Sequence, residues 1–196
     1  MNKCFWGAVL VTLALGAFAS ADTLATIEHH FVDESIDFYD VPLLVEPLGG
    51  GPPDEYADAG IGLISGSGLA TDPLITAIVP GTVYSGHTVN PPFSSMPPPG
   101  QMVDIYINLA TSGDTVQALG SVVVFTLDLT PFSAGDSFPL THWFPPQLTQ
   151  QGGAPVPIQA VDGSITITPE PGTLVLSTIG LLFGLAWMGR RRKSNA

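Results

Sequence analysis

Between Asp22 and Thr168 the chain has no lysine or arginine. Its five basic residues are Lys3 and the run Arg190, Arg191, Arg192, Lys193, while 16 of its 17 acids fall in that middle stretch. Nucleic acid is thereby excluded as a partner, because phosphate binding rests on Lys and Arg. Cysteine is nearly missing too. Cys4 stands alone near the start, so no intramolecular disulfide framework exists. Charged residues make up only 11% of the 196-residue chain, against about 25% in an ordinary soluble protein. No amphipathic pattern of 3.6-residue period runs longer than two turns between Asp22 and Thr168, and 22 glycines and 19 prolines interrupt the chain. Together these exclude a coiled coil and a helical bundle.

The apolar residues instead gather in three places. At the N-terminus, Lys3 precedes an apolar run from Phe5 to Phe18, closed by Ala19-Ser20-Ala21. Small residues at Ala19 and Ala21 satisfy the cleavage rule of a secretory signal, so residues 1–21 are expected to be removed by signal peptidase and the mature chain to begin at Asp22. The run is about 14 residues, short of the roughly 20 that cross a bilayer. Near the C-terminus, Gly172 to Gly189 carries no charge and is followed by Arg190 to Lys193. At about 1.5 Å per residue this stretch just reaches across the hydrocarbon core. A transmembrane helix over 172–189 is expected, with the basic cluster 190–193 held in the cytoplasm by the positive-inside rule and Trp187 at the interface. Gly180 and Gly184 have the spacing of a helix-contact motif, a spacing that small residues in spans often produce without contact.

Just before this span stands Pro169-Glu170-Pro171. Two prolines keep the segment extended, and a carboxylate resists entry into lipid. The tripeptide, Gly172-Thr173, the apolar span and the terminal basic run together resemble the tail of PEP-CTERM proteins. The resemblance covers residues 169–196 and is silent about the middle. It implies a bacterial exported protein whose tail is read by an exosortase-type membrane enzyme at Pro169, Glu170 and Pro171. The precursor would be anchored in the inner membrane with residues 22–168 on the periplasmic side, then passed to the cell surface or extracellular matrix, where extracellular polysaccharide would be a partner.

Residues 22–168 read as one all-β domain, a single small β-sandwich of Greek-key or jelly-roll type between the signal peptide and the transmembrane helix. Val103, Ile105, Ile107 and Leu109 alternate with Asp104, Tyr106 and Asn108; Val123, Phe125, Leu127 and Leu129 alternate with Thr126 and Asp128. Shorter apolar runs at Leu24 to Ile27, Leu43 to Val45, Ile61 to Ile64, Leu74 to Val79 and Leu140 to Phe144 supply further strands. Asp162-Gly163, between Val156 to Val161 and Ser164 to Thr168, predicts a C-terminal hairpin with a type I′ turn. Glu46 to Gly60 and Asn90 to Gly100 read as long loops.

Catalytic patterns are not found in the sequence. Ser67 lies in Gly66-Ser67-Gly68, shorter than a nucleophile elbow and with no helix after it. His29, His30, His87 and His142 lack metal-ligand spacing, and the stretches Gly49-Gly50-Gly51 and Gly60-Ile61-Gly62 complete no phosphate-loop pattern. The acids Asp33, Glu34, Asp37 and Asp40 are the candidates for a Ca²⁺ site, although they lack EF-hand order and acids without bases commonly form a solvated face. No other cofactor is implied. Tyr39, Tyr56, Tyr84, Tyr106, Phe93, Trp143 and Phe144 are candidates for a sugar-stacking platform or for ordinary packing. The expected function is a non-enzymatic exported protein, with a carbohydrate-binding module of the same fold as the alternative. A glycoside hydrolase whose carboxylates converge only in space is the third reading.

Overall fold

The computed structural model describes residues 23–90, 93–94, 99–111, 113–170, 172 and 175–182. The signal-peptide residues, with Ala19 and Ala21, lie outside the described residues, as do Pro171 and the basic cluster 190–193.

Two sheets face each other. The five-stranded sheet runs, from edge to edge, β13 (Ile158–Val161), β1 (Thr23–Ile27), β3 (Phe38–Pro47), β10 (Gly120–Asp128) and β6 (Leu74–Pro80). The seven-stranded sheet runs β2 (His29–Asp33), β14 (Gly163–Thr168), β11 (Ser137–Thr149), β5 (Asp58–Ser65), β8 (Met102–Asn108) and β7 (Phe93–Ser94), with β12 (Pro155–Val156) paired to β11. A small ribbon joins β4 (Glu55–Tyr56) to β9 (Val116–Gln117). The two expected long loops thus contain short pieces of structure, β4 in one and β7 in the other. Most connections carry the chain from one sheet to the other, as in the expected β-sandwich.

Alternation explains the core. Val103, Ile105 and Ile107 of β8 are buried, and so are Val41, Leu43 and Val45 of β3 on the opposite sheet. In β10 both Val122 and Val123 are buried, because the register shifts between Ser121 and Val123. This bulge accounts for the doubly apolar start of that strand.

The expected C-terminal hairpin does not form. Rather than pairing with each other, β13 runs parallel to β1 in one sheet and β14 runs parallel to β2 in the other. Partners are offset by 135 residues at His29 and Ser164, and the same offset holds from Thr23 and Ile158 onward. One parallel pair of strands therefore crosses both sheets without losing register. Gly163 sits at the crossing, opposite the corner at Glu28. Its φ is not positive. A Cβ there would lie 2.3 Å from the Glu28 carbonyl oxygen and 2.4 Å from that of Ile27. Glycine is required for close approach, not for a turn, and Asp162 binds His142 instead of shaping a hairpin.

Strand β14 ends at Thr168, whose carbonyl accepts from the Glu34 N–H at 2.9 Å and whose hydroxyl donates to the Val32 carbonyl at 3.2 Å. The sorting tripeptide starts at the next residue. Helical backbone follows over 175–182, with Leu176, Leu181 and Leu182 exposed. No helix among the described residues is long and apolar enough to cross a membrane, and half of the expected span over 172–189 lies outside them.

Candidate functional site

The outer face of the seven-stranded sheet is built around two glycines. In β5, Ala59, Ile61 and Leu63 point into the core, which turns Asp58, Gly60, Gly62 and Ile64 outward. Across the ladder, Gly60 pairs with Tyr106 and Gly62 with Asp104 of β8. On the other side, Gly60 pairs with Gln147 and Gly62 with Phe144 of β11. The glycines leave room that neighbouring rings fill: a Cβ on Gly60 would lie 3.1 Å from Tyr106 Cε1, and one on Gly62 only 2.1 Å from Trp143 Nε1 and 2.3 Å from Phe144 Cδ1.

Strand β11 is irregular at this point. Its register against β5 shifts between His142 and Phe144, and again between Phe144 and Gln147. Pro145 and Pro146 offer no N–H to the ladder, which accounts for the second shift. The first bulge lets two consecutive residues, Trp143 and Phe144, both meet Gly62, where strict alternation would send them to opposite faces. Their rings are edge to face with centroids 5.3 Å apart. Tyr106 remains 49% exposed and Trp143 40%.

Beside Tyr106 the face dips into an open hollow of about 260 Å³, lined by Asp58, Gly60, Tyr106, Asn108, Gln147 and Thr149 among others. The Asn90 side-chain amide donates to the Asn108 side-chain oxygen, so the Asn108 amide nitrogen remains a donor among the groups that line the hollow. The result is a platform with an apolar floor, amide donors and a carboxylate, and no cation from residues 22–168.

The other candidates are separated. Asp33 accepts from the Ser35 N–H at 2.9 Å and its hydroxyl at 2.8 Å, and Asp40 accepts from the Thr126 hydroxyl at 2.6 Å. Asp37 uses its backbone carbonyl for Leu129 N–H, and Glu34 its N–H for Thr168. Among the described residues no group of three or more His, Cys, Asp or Glu is placed to hold a metal, so the four acids do not converge. The histidines have four different neighbours: Ser164 for His29, Tyr39 for His30, Asp114 for His87 and Asp162 for His142. Burial pushes His30 below its ordinary value. Gly66-Ser67-Gly68 is a turn whose Ser67 N–H and Leu69 N–H both donate to Asp72.

The seven aromatic candidates divide. Tyr56 and Tyr84 are buried together, edge to face at 6.3 Å, and burial pushes both phenols up. Tyr39 packs on His30, and the side chain of Phe93 lies outside the described residues. Tyr106, Trp143 and Phe144 are brought to one face. Gln147, Asn108 and the two glycines were not legible as site residues, although Gly60-Ile61-Gly62 in an apolar run was a signal of rings or backbone close by.

Residues 168–192 match the PEP-CTERM protein-sorting motif, a tail of exported proteins. No curated protein matches the chain. Among solved structures the domain is similar to cohesin modules. A non-cellulosomal cohesin from Archaeoglobus fulgidus aligns with a TM-score of 0.56 at 14% identity, covering 78% of this chain and 96% of that one. A type I cohesin–dockerin complex from Clostridium thermocellum gives 0.58 at 11%, covering 77% and 96%. A cohesin module of a family 33 glycoside hydrolase from Clostridium perfringens gives 0.56 at 14%, covering 77% and 100%. At such identities the likeness shows the fold: the protein is a cohesin-like β-sandwich, and its C-terminal tail is a PEP-CTERM sorting motif.

Proposed function

We propose that the protein is a non-catalytic binding module, delivered through its tail to the cell envelope or extracellular matrix. The observation that carries this reading is the join at Thr168, where a cohesin-like sandwich with an exposed aromatic face passes directly into the sorting motif. Signal peptidase would release the mature chain at Asp22. The span 172–189 would hold the precursor in the inner membrane, and an exosortase-type enzyme would act at Pro169 to Pro171. Glu170 is exposed, as a recognition residue must be.

One observation supports a binding role over a glycoside hydrolase: the hollow on the aromatic face has one acid among its lining residues, Asp58, where glycoside hydrolysis needs a facing pair of carboxyl groups.

The test is to locate the domain in cells that have and lack the sorting enzyme. The reading expects it on the surface or in the matrix of the parent, and retained in the inner membrane of the deletion strain. Equal surface display in both would refute tail-directed delivery.

A further inference from the structure

We infer that Trp143, Phe144 and Tyr106, on the outer face of the seven-stranded sheet, form a binding site for an uncharged polysaccharide chain. The inference deepens the proposed binding role and rests on it.

The face is built for rings lying along the sheet. Gly60 and Gly62 are buried although they point outward, because the rings cover them. Two alternate glycines and a bulge are costly in a central strand pair. Their combined effect here is to lower three aromatic side chains toward the sheet and keep Tyr106 and Trp143 half exposed. Such a floor offers a π-face to the apolar C–H faces of pyranose rings. The side chains around it suit sugar hydroxyls, with donors at Asn108 and Gln147 and an acceptor at Asp58.

Shape and charge choose the occupant. An open hollow of about 260 Å³ is smaller than the roughly 300 to 1,000 Å³ of sites that enclose a small molecule. A chain crossing the face needs no enclosure. An acidic polysaccharide would meet 16 carboxylates and no Lys or Arg between Asp22 and Thr168. The charge of the domain therefore selects a neutral chain.

The test is affinity electrophoresis of the exported protein in a zwitterionic detergent, through native gels holding a β-glucan, a galactomannan, a xylan or alginate. Retardation is expected with at least one neutral polymer and not with alginate. Trp143→Ala and Tyr106→Ala should each weaken it by about tenfold or more, Trp143→Phe should retain most of it, and Gln147→Ala should weaken it with unchanged thermal stability. Gly62→Ala should abolish it by displacing the rings. If Trp143→Ala does not fold, Tyr106→Ala and Gln147→Ala carry the comparison. The inference is overturned by no retardation with any neutral polymer, by retardation with alginate alone, or by retardation that survives both Tyr106→Ala and Gln147→Ala. Surface delivery in the parent strain together with any of these results would refute the glycan site and leave the delivery reading standing.

Discussion

Replacing Gly163 by alanine or asparagine distinguishes a sheet crossing from a hairpin. In the structure the added Cβ falls 2.3 Å from the Glu28 carbonyl oxygen, 2.4 Å from the Ile27 oxygen and 2.8 Å from the Ile27 carbon. A relaxed carbon-to-oxygen contact is about 3.3 Å or more, so the two parallel strands must part by about 1 Å. All three atoms are backbone, held by ladder pairing on either side of the corner, and none can rotate away. Overpacking of this kind costs about 1 to 3 kcal/mol, and a rigid obstacle puts Gly163→Ala at the upper end. For a domain of this size that corresponds to a fall of about 10 °C in Tm. Asparagine is the sharper variant. A type I′ turn accepts Asn at positive φ at little cost, whereas the crossing rejects any Cβ. Thermal unfolding of the exported protein by circular dichroism decides between them. A Gly163→Asn midpoint within about 2 °C of the parent would refute the crossing.

Replacing Glu170 or Pro171 by alanine is expected to leave export intact and to stop tail removal, measured by the gel mobility of exported material; wild-type processing in either variant would deny the tripeptide its role. The acids of Asp22 to Thr168 repel one another without Lys or Arg to offset them, so Tm should rise between low and high salt. An unchanged midpoint would contradict this. Because Asp33, Glu34, Asp37 and Asp40 do not converge, Ca²⁺ should raise Tm no further than Mg²⁺ at equal ionic strength, and a larger Ca²⁺ effect would reverse that conclusion. Burial, partly offset by Glu28, holds the folded His30 below 6.5, so the unfolded chain takes up the proton first. Its contribution to stability is complete above 6.5 and is lost as pH falls below that value. His30→Asn should flatten this part of the curve of stability against pH, and an unaltered slope would assign the effect elsewhere.

The strands that could be read from the sequence are those with one wet face. Val103, Ile105 and Ile107 alternate with Asp104, Tyr106 and Asn108, and burial follows that pattern residue by residue. Asp162-Gly163 misled because glycine serves two ends, positive φ and the absence of Cβ, and a local sequence does not say which is in use. The atoms that decide, the carbonyls of Glu28 and Ile27, lie 135 and 136 residues back along the chain from Gly163. The aromatic face was hidden for a related reason. Alternation sends Trp143 and Phe144 to opposite sides, and only the shift against Gly62 brings them together. Pro145-Pro146 announced a disturbed ladder but not its direction. The tail was legible because its elements are contiguous: the tripeptide, the apolar run and the basic cluster lie in order within residues 169–196.

The central claim is that the chain is exported and cut at both ends, and intact mass spectrometry of the protein recovered from the surface or matrix of its own bacterium tests it most directly. The account predicts a chain that begins at Asp22 and has lost the segment after the Pro169-Glu170-Pro171 motif, including Arg190 to Lys193. A surface protein of the full 20.4 kDa, or one retaining the basic cluster, would contradict it.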